Sequence, residues 1–335
     1  MPLNPSILAL ILVSAVVAFL MLLAGGFGLR VLRHWDIASG SERQLRLEQH
    51  TYLISTIVAF CFLAELVSLL LFVYNAEQMS SQFVGAMCAT GVLNVDPYGW
   101  PALYLKIAVF FAGAAWLMLN RIDNRAYDYP LIRVKYRLLL LIVPLVLAEL
   151  VVQTLFFLEM DPDIITSCCG ALFTPEGQGV AAELSGVEPD TALTLLIAAA
   201  LATLTTGGWY LLRRHGATAF AAAGLAAFPI ALLAIVSCVA LYIYEHPHHH
   251  CPFCILKSGH DFMGYYLYIP LFIGTALALG VGAIAPFRRV PSLSGIIPAE
   301  SQRFIGLALG FMLLFYAVAA YAILGSNLTM LEVWW

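Results

Sequence analysis

Charged side chains are scarce in this sequence. Asp, Glu, Lys and Arg make up 11% of the 335 residues, hydrophobic residues make up 62%, and the mean hydropathy is +0.90. A typical soluble domain is about 25% charged, and a chain with so little charge does not stay dispersed in water. The short alternating segments of a membrane barrel are also missing. Composition therefore excludes an ordinary soluble protein and predicts an all-α, polytopic membrane helix bundle.

Motifs for several common cofactors and partners are missing as well. The sequence has no C-x-x-C-H for covalent haem attachment and no phosphate-binding loop. No histidine falls inside a predicted span, so paired histidine ligands for a non-covalent haem within the membrane are also missing. We therefore expect neither covalent nor non-covalent haem. The net charge of −4 and the low share of basic residues argue against a nucleic-acid partner. Whether the chain is an enzyme is left open by these absences.

Eight apolar runs are long enough to span a bilayer, for which a helix needs about 20 residues. The first is interpreted as a retained span, because it lacks a basic leader and is longer than a signal peptide. Together the runs predict one integral membrane domain over residues 1–335. They lie near 7–29, 51–74, 102–119, 138–158, 191–212, 218–244, 264–286 and 304–325.

Basic residues occur almost entirely in alternate loops. Of the 16 Lys and Arg residues, 14 lie in segments 30–50, 120–137, 213–217 and 287–303. The positive-inside rule makes those segments cytoplasmic and places both termini outside. The most common setting for such a chain is a prokaryotic inner membrane, which we expect here.

The opposite face then carries three loops, 75–101, 159–190 and 245–263. These loops and the C-terminal tail contain twelve acidic residues against one base, Lys257. Such a face would attract cations or a basic extracytoplasmic protein. The expected partners are therefore the lipid bilayer and such a protein or other membrane subunits.

The same three loops hold five of the seven cysteines, and residues 246–254 read HPHHHCPFC. Thiolate and imidazole together suit copper(I) or zinc. The sequence thus predicts a soft-metal site on the outer face. Its candidate ligands are Cys88, Cys168, Cys169, Cys251, Cys254, His246, His248, His249 and His250.

Two other roles for these cysteines stay open. The C-x-x-C pair Cys251 and Cys254 has the spacing of a redox disulfide, so it could exchange electrons with Cys88, Cys168 or Cys169, with quinone as a further acceptor. Alternatively, the cysteines are static staples. Adjacent Cys168 and Cys169 are poor partners for each other, because Cα atoms about 3.8 Å apart are closer than the ~4.4–6.8 Å of a disulfide.

The predicted spans contain three charged residues, Glu65, Lys106 and Glu149, and one amide, Gln153. Charged groups at that depth are costly and usually mark a site. They indicate either an ion or proton path, or protonated carboxyls that only support helix packing. Segments 63–75 and 147–159 both begin LAEL, which predicts a repeat of helical hairpins with one outer cysteine loop after each. Aromatic residues at the outer boundary, including Tyr244 and Tyr268, are interpreted as a membrane belt.

Three functions follow as hypotheses. The first is a membrane protein that handles a copper- or zinc-like ion at an outer Cys/His site, as a carrier, relay or assembly subunit. The second is a membrane thiol–disulfide oxidoreductase that uses CPFC. The third is a structural subunit of a respiratory or transport complex with disulfide-stapled outer loops.

Overall fold

The computed structural model describes residues 4–161, 164, 166 and 186–329, and all regular structure among them is helical. Eight helical spans within these residues are long and apolar enough to cross a membrane. The predicted all-α fold with eight spans is therefore confirmed. Cys168 and Cys169 lie outside the described residues.

The described helices differ greatly in length, and two of them, Ala89–Leu93 and Ala240–Tyr244, have only five residues each. A π-helical turn, Ile235–Val239, joins α7 to α8, so that one span continues to Tyr244. In chain order the helices are α1 (Pro5–His34), α2 (Glu42–Met79), α3 (Ala89–Leu93), α4 (Gly99–Asp123), α5 (Ile132–Glu159), α6 (Pro189–Arg213), α7 (Ala217–Ala234), α8 (Ala240–Tyr244), α9 (Met263–Ile284) and α10 (Ile296–Leu324).

The helices extend beyond the predicted spans, chiefly into the basic segments. Helix α2 begins at residue 42 rather than near 51, so Arg43, Arg46 and His50 are helical. His34 likewise belongs to the last turn of α1, and the expectation that no histidine lies in a spanning helix is corrected. A helix satisfies its own backbone groups and can therefore continue past an apolar run. In this added segment Arg46 pairs with Glu42 at 2.5 Å. The predicted span ends mark where the apolar residues stop, and the helix continues beyond that point through charged residues.

The first of two compact units comprises Met1–Met79, Leu93–Ile164 and Pro286–Ile297. Within it, α1 packs on α2 and α5, and α4 packs on the same two helices, which gives a closed ring of four. Its core contains the fully buried side chains of Trp116 and Tyr136. This ring also holds all four of the predicted intramembrane polar residues.

The second unit comprises Ser80–Val92, Ile165–Ala285 and Pro298–Trp335. Helix α7 packs on both α6 and α9. Helix α10 joins them through Phe315 in the shared core and through its Tyr316 hydroxyl, 3.2 Å from that of Thr203 on α6. This unit carries both described cysteine loops. The single domain, the hairpin repeat and the side on which the termini lie stay predictions.

Candidate metal centre

Three cysteine sulfurs converge in the second unit. The Sγ atoms of Cys88, Cys251 and Cys254 all lie within 4.8 Å of one another. Those of Cys88 and Cys251 are 3.3 Å apart. None of the three residues is more than 8% exposed, and none forms a disulfide. The predicted meeting of cysteine loops is thus found for two of the three loops.

The loop Ser80–Val92 brings Cys88 into this cluster. Gly85 has φ +86°, a left-handed conformation that favours glycine. Thr166 fastens the loop at two points, because its backbone N–H donates to the Val84 carbonyl at 3.0 Å and its hydroxyl donates to the Gly91 carbonyl at 2.9 Å. The loop then enters α3, where the Gly91 N–H donates to the Cys88 carbonyl at 3.0 Å.

A tight turn over CPFC supplies the other two sulfurs. After Cys254 the chain enters a short 3₁₀ segment, in which the Lys257 N–H donates to the Cys254 carbonyl at 3.1 Å. Two tyrosine hydroxyls donate hydrogen bonds to backbone carbonyls of the turn. That of Tyr244 donates to the Cys251 carbonyl at 2.5 Å, and that of Tyr268 donates to the Pro252 carbonyl at 2.8 Å.

The two loops are also joined by a cation. The Lys257 ammonium donates to the carbonyl of Met87, the residue before Cys88. This places a positive charge beside a cluster that becomes negative when its thiols ionise. The single base of the predicted acidic face is therefore built into the cysteine site.

The cluster favours ionisation of one thiol before the others. Hydrogen bonds from the Cys254 and Cys88 thiols hold the pKa of Cys251 well below its usual value. The same contacts with Cys251 and Cys88 raise the pKa of Cys254. When Cys251 is a thiolate, the Thr90 hydroxyl 3.3 Å away donates to its sulfur. Cys251 is thus the thiol of the set that ionises first.

The geometry fits a thiophilic ion. A metal–thiolate bond of about 2.3 Å places sulfurs roughly 3.8–4.0 Å apart in tetrahedral or trigonal coordination. The sulfur positions, within 4.8 Å of one another, need only small side-chain movements to reach those separations. Three buried thiolates also need a cation, because uncompensated charge away from water is costly. Cys88, Cys251 and Cys254 are the residues that would hold it.

The four predicted histidine ligands lie outside this set of closely grouped atoms. His246 and His248 are exposed. The His249 ring stacks on Tyr244 with centroids 4.0 Å apart. His250 Nδ1 donates to the Val236 carbonyl in the π-helical turn at 3.1 Å. Burial lowers the pKa of both His249 and His250.

Sequence reasoning missed Thr90 and the contacts of two tyrosines with the CPFC turn. The hydroxyls of Tyr244 and Tyr268 donate to carbonyls of the CPFC turn, and their place in a membrane belt stays a prediction. Their closeness to CPFC in sequence was the available signal. Nothing in the sequence indicates Thr90, since its contact with Cys251 spans 161 residues.

The intramembrane polar residues form a separate set in the first unit. Lys106 Nζ lies 2.6 Å from Glu149 Oε1, so two of these residues form a buried ion pair. Gln153 donates through Nε2 to the Ser14 hydroxyl at 3.1 Å. A second buried pair, Lys135 and Asp123 at 2.8 Å, was not anticipated, because Lys135 was counted among the basic loop residues.

Comparison with known proteins gives no family assignment. The chain matches no protein-family model, no curated protein and no solved structure. The function is therefore argued from the geometry of the site.

Proposed function

We propose that this integral membrane protein binds a copper(I)- or zinc-like ion through Cys88, Cys251 and Cys254. The convergence of three buried, unbridged thiols from two distant loops carries the proposal. On the predicted topology the site faces the extracytoplasmic side. There it would serve a metal carrier, a relay, or an assembly subunit that passes the ion to a partner.

The odd number of thiols favours a metal over a staple. A disulfide joins two sulfurs and would leave the third buried and unused, whereas three thiolates complete a trigonal site or most of a tetrahedral one. None of the five described cysteines forms a disulfide. Cys168 and Cys169 follow Thr166 in sequence, and Thr166 is bonded to the Cys88 loop. We propose these two as further thiolates for a fourth bond or for transfer.

Metal loading of purified protein tests the proposal. Protein reduced and stripped of metal is titrated with copper(I), and separately with zinc, against a competing chelator, and bound metal is counted by elemental analysis. We expect one ion per chain, and loss of that ion in Cys88→Ser, Cys251→Ser and Cys254→Ser. Cys61→Ser and Cys238→Ser are matched controls, since both residues are buried but lie outside the cluster.

Two results would refute the metal proposal. One is a reduced wild type that binds neither ion. The other is a set of cluster variants that bind as much metal as the two controls. Circular dichroism and size-exclusion profiles of each variant separate a lost site from a lost fold.

A thiol–disulfide oxidoreductase is the second candidate, and the 3.3 Å contact between Cys251 and Cys88 favours it. The Cys251 thiolate would attack a partner disulfide and form a mixed disulfide. A second thiol, from Cys254 or Cys88, would then displace the reduced partner. Two electrons pass to the partner, and a disulfide remains in this chain until a quinol or another electron donor reduces it to two thiols. Rapid exchange with a model disulfide in a chain that binds no metal would favour this candidate.

A further inference from the structure

The ion pair in the first unit belongs to a larger buried cluster. Lys106 Nζ contacts Glu149 Oε1 at 2.6 Å and donates to the Ser68 hydroxyl at 2.7 Å. It also lies 5.6 Å from the centre of the Phe72 ring. Helices α2 and α5 therefore supply the groups that surround the Lys106 ammonium of α4.

Glu65 is the second carboxyl of this cluster. It lies one helical turn before Ser68 on α2, is 3% exposed, and interacts electrostatically with both Glu149 and Lys106. Its Oε1 atom is buried without a hydrogen-bond partner, and so is Oε2 of Glu149. The Lys106 ion pair thus satisfies one of four carboxyl oxygens and leaves an open acceptor on each carboxyl.

The charges of the cluster do not balance. Two carboxylates against one ammonium leave one negative charge, which is costly in a site that excludes water. Among the described residues, the Cys61 thiol on the same helix also interacts electrostatically with Glu65. Helix α1 contributes the neutral Ser14, which accepts from Gln153 on α5. No second cation reaches the cluster among the residues that the structure describes, so a proton is the simplest group that balances it.

We infer that Glu65 and Glu149 share one exchangeable proton, so that the Glu65–Lys106–Glu149 cluster is a proton-binding site within the spanning region. Lys106 holds Glu149 ionised, and the proton resides chiefly on Glu65, whose free oxygen is unpartnered. Uptake converts a carboxylate to a carboxylic acid and release reverses it, with no electron transfer. Such a site would allow a membrane protein to couple a movement or transport step to proton binding.

Infrared spectroscopy of the purified protein in detergent at pH 8 tests this inference. Protonated carboxyls absorb apart from carboxylates, and exposed acids are ionised at that pH. We expect one protonated-carboxyl band in the wild type, a shift of that band within minutes of transfer to D₂O, and its loss in Glu65→Gln. Glu149→Gln should also remove it, because one carboxylate then balances one ammonium.

Two further variants sharpen the result. Lys106→Met should roughly double the band, since both carboxyls then need a proton. Glu42→Gln, which removes an exposed carboxyl on α2, should leave the band unchanged. A wild type without the band, a band that survives Glu65→Gln in folded protein, or a band that does not shift in D₂O would overturn the inference. None of these outcomes depends on whether the cysteine cluster binds metal.

Discussion

The Sγ atom of Cys251 lies 3.3 Å from the Sγ atom of Cys88, although 163 residues separate them in the sequence. Neither loop therefore forms the site alone. The CPFC turn supplies two sulfurs, and the loop after α2 supplies the third together with the Thr90 hydroxyl. Changes in the Cys88 loop should consequently alter metal binding as directly as changes in CPFC do.

Thr90→Val removes the hydroxyl that lies 3.3 Å from the Cys251 sulfur while keeping the side-chain shape. Losing one such hydrogen bond costs about 0.5–1.5 kcal/mol, so metal affinity should fall by roughly twofold to tenfold. Competition titration with a chelator measures the change. Thr194→Val is the matched control, because that hydroxyl donates to the Asp190 carbonyl in another part of the unit. Equal affinities for the two variants would contradict the role given to Thr90.

Gly85→Ala should disrupt the Cys88 loop. The residue has φ +86°, and an added Cβ would lie 2.0 Å from the Thr166 carbonyl oxygen, so the backbone has to move. We expect a loss of metal affinity of at least tenfold and a lower midpoint of thermal unfolding. Gly259→Ala provides the comparison, since a Cβ there meets nothing within 4 Å. An unchanged affinity in Gly85→Ala would show that the loop position does not control the site.

The spans could be predicted from sequence because the bilayer imposes a simple rule. About 20 apolar residues are needed to cross it, and each predicted run satisfies that rule on its own. Helix ends were less predictable, as residues 42–50 show, because a charged helix remains stable once it leaves the hydrocarbon. Glu65, Glu149 and Lys106 could be singled out for a similar reason, since charge at that depth is costly wherever it occurs.

Which residues form the site was harder to predict from the sequence than the spans were. Both CPFC and Cys88 were identified as thiols on one predicted face, but their contact depends on how two loops fold across the second unit. The four histidines of HPHHHC stand next to Cys251 in sequence, but neighbours along the chain do not have to point toward the same site. His250 instead donates to Val236, whose carbonyl lies in a π-helical turn that local sequence did not predict.

His250→Ala should weaken metal binding indirectly. The His250 ring ties the CPFC loop to the π-helical turn through its bond to the Val236 carbonyl, so its loss frees the chain beside Cys251. We expect a decrease in affinity of about twofold to tenfold, in line with one hydrogen bond. His248→Ala, at an exposed neighbouring position, should have no effect on affinity. If His248→Ala lowers the metal stoichiometry, the histidines act as ligands and the site is larger than three thiols.

The predicted topology can be tested with new exposed cysteines, because the native cluster is buried and reacts slowly with bulky reagents. His248→Cys places a thiol on the predicted outer side, and Ser39→Cys places one between α1 and α2 on the predicted inner side. An impermeant maleimide on intact spheroplasts should label the first variant and not the second, as the positive-inside rule requires. Labelling of Ser39→Cys alone would invert the topology and place the metal site in the cytoplasm.

Asp96, which lies just before α4, should make the thermal stability of the protein depend on pH. Its Oδ1 accepts from the backbone N–H groups of Tyr98 at 2.7 Å and Gly99 at 3.1 Å, while its Oδ2 is buried without a partner. Burial raises the pKa of Asp96 from 3.8 to about 6. The folded state therefore binds the proton more tightly than the unfolded state. The stabilisation is full below about pH 4 and is lost as pH rises through 6.

Asp96→Asn keeps an oxygen for the two backbone donors but carries no titrating charge. We expect the wild type to lose thermal stability between pH 5 and pH 7.5 relative to this variant, with the two curves converging at the acidic end. Glu42→Gln, which alters an exposed carboxyl, should track the wild type across the same range. Parallel curves for the wild type and Asp96→Asn would show that the carboxylate stays solvated, and would remove Asp96 as a source of pH dependence.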